Sequence, residues 1–310
     1  MLAATHLIRT RIVGMTAIAP PIIRMMSSES TDSQPIPSLP EGYVPPAVWA
    51  PKALGGKMGD MNKPTAGARF EETLPVGKHA LQLYSLGTPN GMKVTILLEE
   101  LNAVAGVEYD AWKISIFDLQ QFGSDFVAAN PNSKIPALMD HDHSPPIRVF
   151  ESGNILKYIA EKHDGRFIPA GHREKTEMYN WLFWQMSSAP YLGGGFGHFY
   201  TYAPVKIEYA IDRFSMEAQR QFDVLDKHLA DGRPFLCGEE YTIADMAVWP
   251  WMLCVSKFYK ADEFLSLHKY KHLNEWRERI GARPAVIRGI RVNGVGDDAI
   301  EERHSCADFN

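Results

Sequence analysis

The order of secondary structure predicted between residues 80 and 163 constrains the fold more than any other feature of this sequence. Leu81, Leu83 and Tyr84 indicate a strand, and the apolar residues of VTILLEEL that follow recur at helical spacing. The strings EYDAWKISI, SDFVAANP, IPALMD, IRVFES and SGNILKYIAEKH then predict a strand, a short helix, two strands and a closing helix. This β-α-β-α-β-β-α order predicts a small mixed sheet with helices on both faces.

The rest of the chain predicts helices. Between residues 205 and 230 the apolar residues step by three and four, which is typical of a long amphipathic helix. Thr242 and Asp245 have the spacing of a capping box at the start of another helix, and Pro284 marks a late helix boundary. The predicted fold class is therefore α/β plus all-α, with a small α/β domain joined to a larger helical one.

Changes in composition set the predicted boundaries. Residues 31 to 60 are rich in Pro, Gly and Ser and lack periodicity, so we expect an extended arm there. The organisation predicted for the whole chain is a flexible or targeting segment at 1–40, an extended arm at 41–78, the α/β domain at 79–165, the helical domain at 172–290 and a C-terminal tail at 291–310.

Charge, hydropathy and cysteine usage exclude several classes of protein. The 310 residues include 32 basic and 37 acidic side chains without a long basic stripe, which argues against nucleic-acid binding. No apolar run approaches the roughly 20 residues of a membrane helix. The three cysteines are scattered and form no C-x-x-C, so neither a disulfide scaffold nor a dithiol redox centre is expected. A reducing compartment, the cytoplasm, is the expected location.

The first thirty residues complicate that location. They contain three arginines and no acidic residue before Glu29, as mitochondrial targeting segments do. The same composition fits a mobile tail that precedes an internal start at Met25 or Met26. Both interpretations remain open, and neither bears on the fold.

The corner between the first strand and the first helix is the first candidate site. Thr88, Pro89 and Asn90 lie where the N–H groups of the helix start and the positive end of its dipole favour an anion. A hydroxyl and an amide can each donate a hydrogen bond to a thiolate or a phosphate. These residue types are also common in ordinary turns and helix caps, so a purely structural role stays open.

Two further segments of the α/β domain have the character of a ligand site. In Lys134-Ile135-Pro136 a proline precedes a strand, where it is often cis and the residue before it can pair with a peptide-like ligand. In Glu151-Ser152 an acid and a hydroxyl lie at the start of the last helix of the domain. Glu151 could bind the ammonium of a ligand, and Ser152 with the helix start could bind its carboxylate. The alternatives are an edge-strand proline without a ligand and a Ser152 that only caps its helix.

Other polar or glycine-rich features have simpler explanations. The HDH string at 141–143 lies in a turn without further spaced ligands, so no metal site is expected. The string YLGGGFGHFY at 191–200 is interpreted as a flexible break between helices that could line a second pocket. Cys237 is interpreted as a small core residue.

The order of these features resembles that of the glutathione transferases. The resemblance runs from about Leu81 to Pro284 and implies a thioredoxin-like domain that binds glutathione, followed by an all-helical domain. The strings LYSLGTPNGMKVTILLEEL, NPNSKIPAL, RVFESG, NWLFW, LGGGFGHFY, APVKIEYAI and EYTIADMAVWPW are similar to the nu-class, YghU-type glutathione-dependent disulfide-bond oxidoreductases. That group is related to the fungal nitrogen-regulator-like transferases.

The resemblance implies a role for each matching residue. Thr88 and Asn90 would be the catalytic residues that face the glutathione sulfur. The glutathione-binding residues that the resemblance implies are Asn62, Thr88, Pro89, Asn90, Gln121, Lys134, Ile135, Pro136, Glu151, Ser152 and Arg213. Among these, Glu151 and Ser152 would bind the γ-glutamyl end, and Arg213 would meet a second glutathione.

The resemblance also implies a chemistry that needs no cysteine of the protein. Its expected reaction is reduction of a small disulfide by two glutathiones, with one or two glutathiones bound at each site and with peroxides as secondary substrates. Lowering a thiol pKa from about 8.5 by about two units requires about 2.7 kcal/mol, more than an exposed helix end supplies. Thr88 or Asn90 would supply the rest. A transferase that conjugates electrophiles and a non-catalytic regulator are the alternatives, and a homodimer is implied by the family.

Overall fold

The computed structural model describes residues 44–51, 59, 61 and 63–309. Residues 44–46 belong to one compact unit and carry neither helix nor strand, whereas the described residues from 47 onward belong to a second unit. The predicted segment at 1–40 and the predicted ligand Asn62 lie outside the described residues.

A four-stranded mixed sheet forms the α/β domain. Its strands are β1 (Leu81–Ser85), β2 (Asp110–Lys113), β3 (Ala137–Asp140) and β4 (Ile147–Phe150). The spatial order is β2-β1-β3-β4, with β2 parallel to β1 and with β3 antiparallel to both β1 and β4. The helices of this domain are α1 (Pro89–Ala105), α2 (Ser124–Ala129) and α3 (Ser152–Lys162). The predicted order of elements is confirmed.

The helical domain follows the α/β domain and consists of helices. They are α4 (His172–Pro190), a π-helical segment (Tyr191–Tyr202), α5 (Glu208–Leu229), α6 (Ile243–Lys257), α7 (Lys271–Gly281) and α8 (Pro284–Gly289). The predicted capping box is confirmed, since Thr242 Oγ1 accepts a hydrogen bond from the Ala244 N–H and an Asp245 carboxylate oxygen accepts one from the Thr242 N–H at 3.0 Å.

The predicted flexible break at 191–200 is wrong, because α4 continues directly into the π-helical segment. Its glycines make room for aromatic rings instead of loosening the chain. A Cβ at Gly193 would lie 2.5 Å from the Trp251 ring, and one at Gly195 would lie 2.4 Å from the Phe214 ring. Phe196 has 0% exposure and belongs to the core instead of lining a pocket.

One hydrophobic cluster spans both domains. It includes Leu83 and Ile155 from the α/β domain together with Phe222 and Trp276 from the helical domain, all four at 0% exposure. Helix α1 packs against α3 within its own domain and against α6 and α8. Because α1 is covered by both domains, every residue from Gly91 to Leu101 is buried.

The residues after α8 return to the α/β domain. Arg303 and Ala111 exchange two backbone hydrogen bonds, and the carbonyl of Asn293 accepts a hydrogen bond from the Gly87 N–H at 2.6 Å. Arg303 and Asn293 are both at 0% exposure. The C-terminal residues therefore support the chain immediately before the corner that carries Thr88.

Within the described ranges, no helix combines the length and apolar character needed to cross a membrane. The same residues bring together no group of three or more His, Cys, Asp or Glu side chains that could hold a metal ion.

Candidate active site

Sheet register brings the three candidate segments to the same edge. Tyr84 on β1 pairs with Ala137 on β3, and Ala137 pairs with Phe150 on β4. Pro136 directly precedes Ala137 and Glu151 directly follows Phe150, while β1 ends at Ser85 and Thr88 follows three residues later. Segments far apart in sequence therefore line up where α1 and α3 begin.

Thr88 is the N-cap of α1, with extended backbone angles of φ −96° and ψ 166°. Its Oγ1 accepts a hydrogen bond from the Gly91 N–H at 3.4 Å. Gly91 is required there, because a Cβ would lie 2.0 Å from the carbonyl oxygen of Leu86. Since the hydroxyl oxygen is used as the acceptor, the hydroxyl proton of Thr88 is available to a ligand.

Asn90 is oriented by a residue of the helical domain. The indole N–H of Trp251 donates a hydrogen bond to Asn90 Oδ1 at 3.1 Å. An indole can only donate, so the amide oxygen must face Trp251 and the amide NH₂ is left to donate elsewhere. The backbone N–H of Asn90 has no hydrogen-bond partner among the described residues. The corner thus offers three donors, from Thr88 and Asn90, beside the positive end of α1.

The proline step has the predicted geometry. The Ile135–Pro136 peptide bond is cis, and half-buried Ile135 lies before the first paired residue of β3. Lys134 is exposed, while its carbonyl accepts a hydrogen bond from the side-chain amide of Asn130 at 2.6 Å. The backbone around Ile135 is therefore fixed by local bonds while it stays outside the strand pairing.

Glu151 has an unusual backbone conformation, with φ 68° and ψ 118°. A positive φ in a residue other than glycine costs of order 1–3 kcal/mol and is typical of ligand sites. Glu151 is exposed and occupies the N-cap position of α3, where its side chain makes no capping hydrogen bond. The interpretation of Ser152 as the N-cap is wrong, because Ser152 is the first residue of the helix.

Lys93 lies behind Ser152 and was missed in the sequence. Its side chain is 1% exposed, and Nζ donates to Gln185 Oε1 at 2.7 Å and to Ser152 Oγ at 3.3 Å. Burial lowers the pKa of Lys93 to about 7, against an opposing effect of Glu151. The sequence does contain a signal for Lys93, because it lies inside the apolar string MKVTILL. A lysine at a buried helix position needs hydrogen-bond partners, which predicts polar groups around it.

Gln121 follows β2 and is only 4% exposed. Its Nε2 donates to the Ile116 carbonyl at 3.3 Å, and its buried Oε1 has no partner among the described residues. The arm packs beside it, because the Arg69 guanidinium lies 3.3 Å from the centroid of the Phe122 ring. The arm therefore contacts the residue that follows Gln121.

Arg213 is exposed on α5. The pKa of Glu217 is lowered chiefly by its hydrogen bonds with Arg220, with a smaller contribution from Arg213. No hydrogen bond or ion pair joins Arg213 to the α/β domain across residues 63–309. The structure therefore lines up the corner, the proline step and the Glu151-Ser152 pair along one side of the sheet. Gln121 lies after β2, and Arg213 lies on the helical domain.

Two of the three cysteines have pKa values opposite to those of an activated nucleophile. Burial raises the pKa of Cys237 to about 12 and that of Cys254 to about 12. Cys306 is exposed in the short C-terminal helical turn Cys306–Phe309. The interpretation of Cys237 as a core residue agrees with its high pKa.

A thioredoxin-like sheet followed by a helical domain, with hydrogen-bond donors at the start of α1, is the architecture of a glutathione transferase. The family model of the glutathione S-transferase N-terminal domain matches residues 79–161, and that of the C-terminal domain matches residues 208–279. The chain belongs to the glutathione S-transferase family.

Two relatives with names show which members of the family this chain is similar to. The chain is 58% identical over 275 residues to the disulfide-bond oxidoreductase YghU of Escherichia coli, a match that covers 86% of this chain and 95% of that protein. The glutathione transferase YghU of Streptococcus pneumoniae, solved in complex with glutathione, is 52% identical with a TM-score of 0.79, over 82% of this chain and 99% of that one.

A more distant relative was solved with two bound ligands. This glutathione transferase family member from Pseudomonas fluorescens, with two glutathione bound, is 38% identical with a TM-score of 0.64. The match covers 68% of this chain and 92% of that one.

Proposed function

We propose that this protein is a glutathione-dependent disulfide reductase that uses the thiolate of a bound glutathione at the corner between β1 and α1. The observation that carries the proposal is the set of donors on Thr88 and Asn90, with Asn90 turned by Trp251 so that its NH₂ is free. The high pKa values of Cys237 and Cys254 support a sulfur supplied by the ligand.

The donors at the corner are strong enough to lower the pKa of a bound thiol by about two units. Lowering a thiol pKa by about two units corresponds to about 2.7 kcal/mol of preference for the thiolate. A helix end supplies about 0.3–1 kcal/mol when exposed and up to about 2 kcal/mol when partly buried. Each hydrogen bond to a charged group adds about 1.5–3 kcal/mol. The helix end together with one donor from Thr88 or Asn90 therefore suffices.

Around this centre the remaining candidates supply the binding subsites. Ile135 pairs with the cysteinyl backbone, with its geometry held by Pro136. Glu151 binds the γ-glutamyl ammonium and Ser152 the carboxylate. The residues proposed to complete the site are Pro89, Gln121 and Lys134, with Asn62 from the arm and Arg213 for a second glutathione.

The proposed reaction consumes two glutathiones for each disulfide. The bound thiolate attacks one sulfur of the substrate disulfide, so that the first substrate thiol leaves and a mixed disulfide forms. A second glutathione thiolate attacks the glutathione sulfur of that mixed disulfide, which releases the second substrate thiol and glutathione disulfide. The two protons lost by the glutathiones end on the two product thiols.

A cysteine-free variant tests the proposal. Cys237, Cys254 and Cys306 are replaced by Ala together, and turnover of a small disulfide with glutathione is compared with that of the wild type at matched folded fraction. Turnover within about threefold of the wild type is expected, since no protein sulfur takes part. Loss of most turnover in a folded variant contradicts the proposal, and a kcat/KM that is far higher for a chlorinated aromatic electrophile favours a conjugating transferase.

We propose further that the protein is a nu-class homodimer in the cytoplasm. Support for a dimer comes from large apolar side chains exposed on two helices, Phe183 of α4 at 63% and Tyr209 and Met216 of α5 at 65% and 62%. The three cysteines without a disulfide support a reducing compartment. Sedimentation equilibrium of the full chain tests the dimer.

A further inference from the structure

The amine of Lys93 is buried and forms no direct ion pair in the described part of the chain. It lies on α1 close to Asn90 in sequence and is 1% exposed. Its two hydrogen-bond acceptors, Gln185 Oε1 at 2.7 Å and Ser152 Oγ at 3.3 Å, are both neutral. No carboxylate of the described residues forms an ion pair with it. Burying a charge without a partner is costly, so a role outside folding must explain it.

The bond from Lys93 determines what the Ser152 hydroxyl can do. Because Ser152 Oγ accepts from Lys93, its proton must be donated to another group. Its acceptor among the described residues is Met186 Sδ at 3.8 Å, and a thioether is a weak acceptor. A carboxylate that reached Ser152 would therefore replace a weak bond by a charge-assisted one.

We propose that Lys93 is a positioning residue for the free carboxylate of the γ-glutamyl group, acting through the hydroxyl of Ser152. Lys93 orients the Ser152 proton toward the ligand and supplies a positive charge behind it. This inference rests on the proposed function, because it assigns a further residue to the same glutathione site.

The charges around Ser152 match an amino-acid head group. Glu151 is exposed at the same helix start and offers a negative charge for the ligand's ammonium. Lys93 offers the opposite charge on the buried side of Ser152. A γ-glutamyl group carries both an ammonium and a carboxylate, whereas a simple acyl group carries neither. The pair Glu151 and Lys93 therefore selects γ-glutamyl compounds over other thiols.

The test compares two ligands in the full-length protein. The first is S-methylglutathione, and the second is its analogue in which 4-aminobutyrate replaces the γ-glutamyl residue, so that only the carboxylate is missing. Calorimetric Kd values are measured for the wild type and for Lys93→Met. We expect Lys93→Met to weaken S-methylglutathione about tenfold and the analogue less than about twofold.

Lys157→Met is the matched control, since Lys157 is an exposed lysine on α3 that pairs with Glu161 at 2.7 Å. It should change neither Kd. Thermal unfolding should show Lys93→Met at or above the wild-type midpoint, because it removes a buried charge. Lys93→Gln keeps a donor without the charge and is used if the methionine variant does not fold.

Equal losses for both ligands, or no loss for either, overturn the role of Lys93 while leaving glutathione binding intact. A wild-type protein that binds S-methylglutathione no better than the analogue also overturns it. Failure of the wild type to bind S-methylglutathione at all overturns the proposed function itself, and the assignment of Lys93 with it.

Discussion

At the scale of single residues, the candidate site depends on which hydrogen-bonding atoms are already occupied. Thr88 Oγ1 accepts from the Gly91 N–H, and Asn90 Oδ1 accepts from the Trp251 indole. Each bond uses the oxygen and leaves hydrogen for a ligand. The same side chains without these partners could present oxygen to the ligand and repel an anion.

Replacing Thr88 tests this arrangement directly. Thr88→Val keeps the side-chain shape but removes the donor, so the pKa of the thiol of bound glutathione should rise and kcat/KM should fall by about 10- to 100-fold. The thiol pKa is measured by ultraviolet absorbance of the thiolate across a pH titration. Thr88→Ser, which keeps the hydroxyl, should stay close to the wild type. An unchanged thiol pKa in Thr88→Val would contradict a hydroxyl donor.

The pKa of Lys93 predicts a pH dependence of stability. Burial lowers this pKa from 10.5 to about 7, so between these values the unfolded chain binds a proton that the folded chain has released. Wild-type stability should therefore rise with pH through this range, relative to Lys93→Met. The free energy of unfolding of both proteins is measured in urea, without glutathione, at about pH 6 and about pH 9. The free energy of the wild type relative to Lys93→Met should be higher at about pH 9 than at about pH 6. A difference that does not change with pH would mean that Lys93 keeps an ordinary pKa.

At the scale of elements, the π-helical segment Tyr191–Tyr202 controls the position of the ring that orients Asn90. Gly193 lies against the Trp251 ring, while its neighbour Gly194 faces open space. Gly193 is therefore needed for close packing against Trp251, whereas a larger side chain at Gly194 would meet no neighbouring atom.

These two glycines form a matched pair. Gly193→Ala places a Cβ 2.5 Å from the Trp251 ring, which must move and weaken its bond to Asn90. We expect kcat/KM to fall about tenfold, with a loss of about 1–3 kcal/mol in stability. Gly194→Ala meets no atom within 4 Å and should keep full activity, with stability equal to or slightly above the wild type. Equal activity in the two variants would show that Trp251 does not set the geometry of Asn90.

At the scale of the whole molecule, buried charges tie the C-terminal residues to α1. Glu99 on α1 is 0% exposed and forms ion pairs with Arg288 at 2.8 Å and with Arg303 at 3.3 Å. Arg303 also donates to the Tyr109 carbonyl at 2.8 Å. Together with the shared hydrophobic cluster, this network predicts that residues 63–309 unfold in one cooperative transition.

Removing Arg303 should destabilise both domains together. Arg303→Met leaves the buried Glu99 with Arg288 alone as its ion-pair partner and is expected to cost about 3 kcal/mol. Far-ultraviolet circular dichroism and tryptophan fluorescence, followed in urea, should shift to the same lower midpoint. Lys113→Met breaks the exposed pair with Glu301 and should cost at most about 1 kcal/mol. Separate midpoints for the two signals would contradict a single cooperative unit.

The sequence alone determined the order of elements, the capping box at Thr242 and Asp245, and the polar corner at Thr88 and Asn90, because each depends on residues within a few positions of one another. Only the tertiary structure decided the roles of Lys93 and Trp251. Lys93 meets Gln185, and Trp251 meets Asn90, across long stretches of chain. Such contacts depend on how α1, α4 and α6 pack, and no local period records that packing. For the same reason the glycines at 193–195 predicted flexibility, although the rings packed against them make that segment a continuous helix.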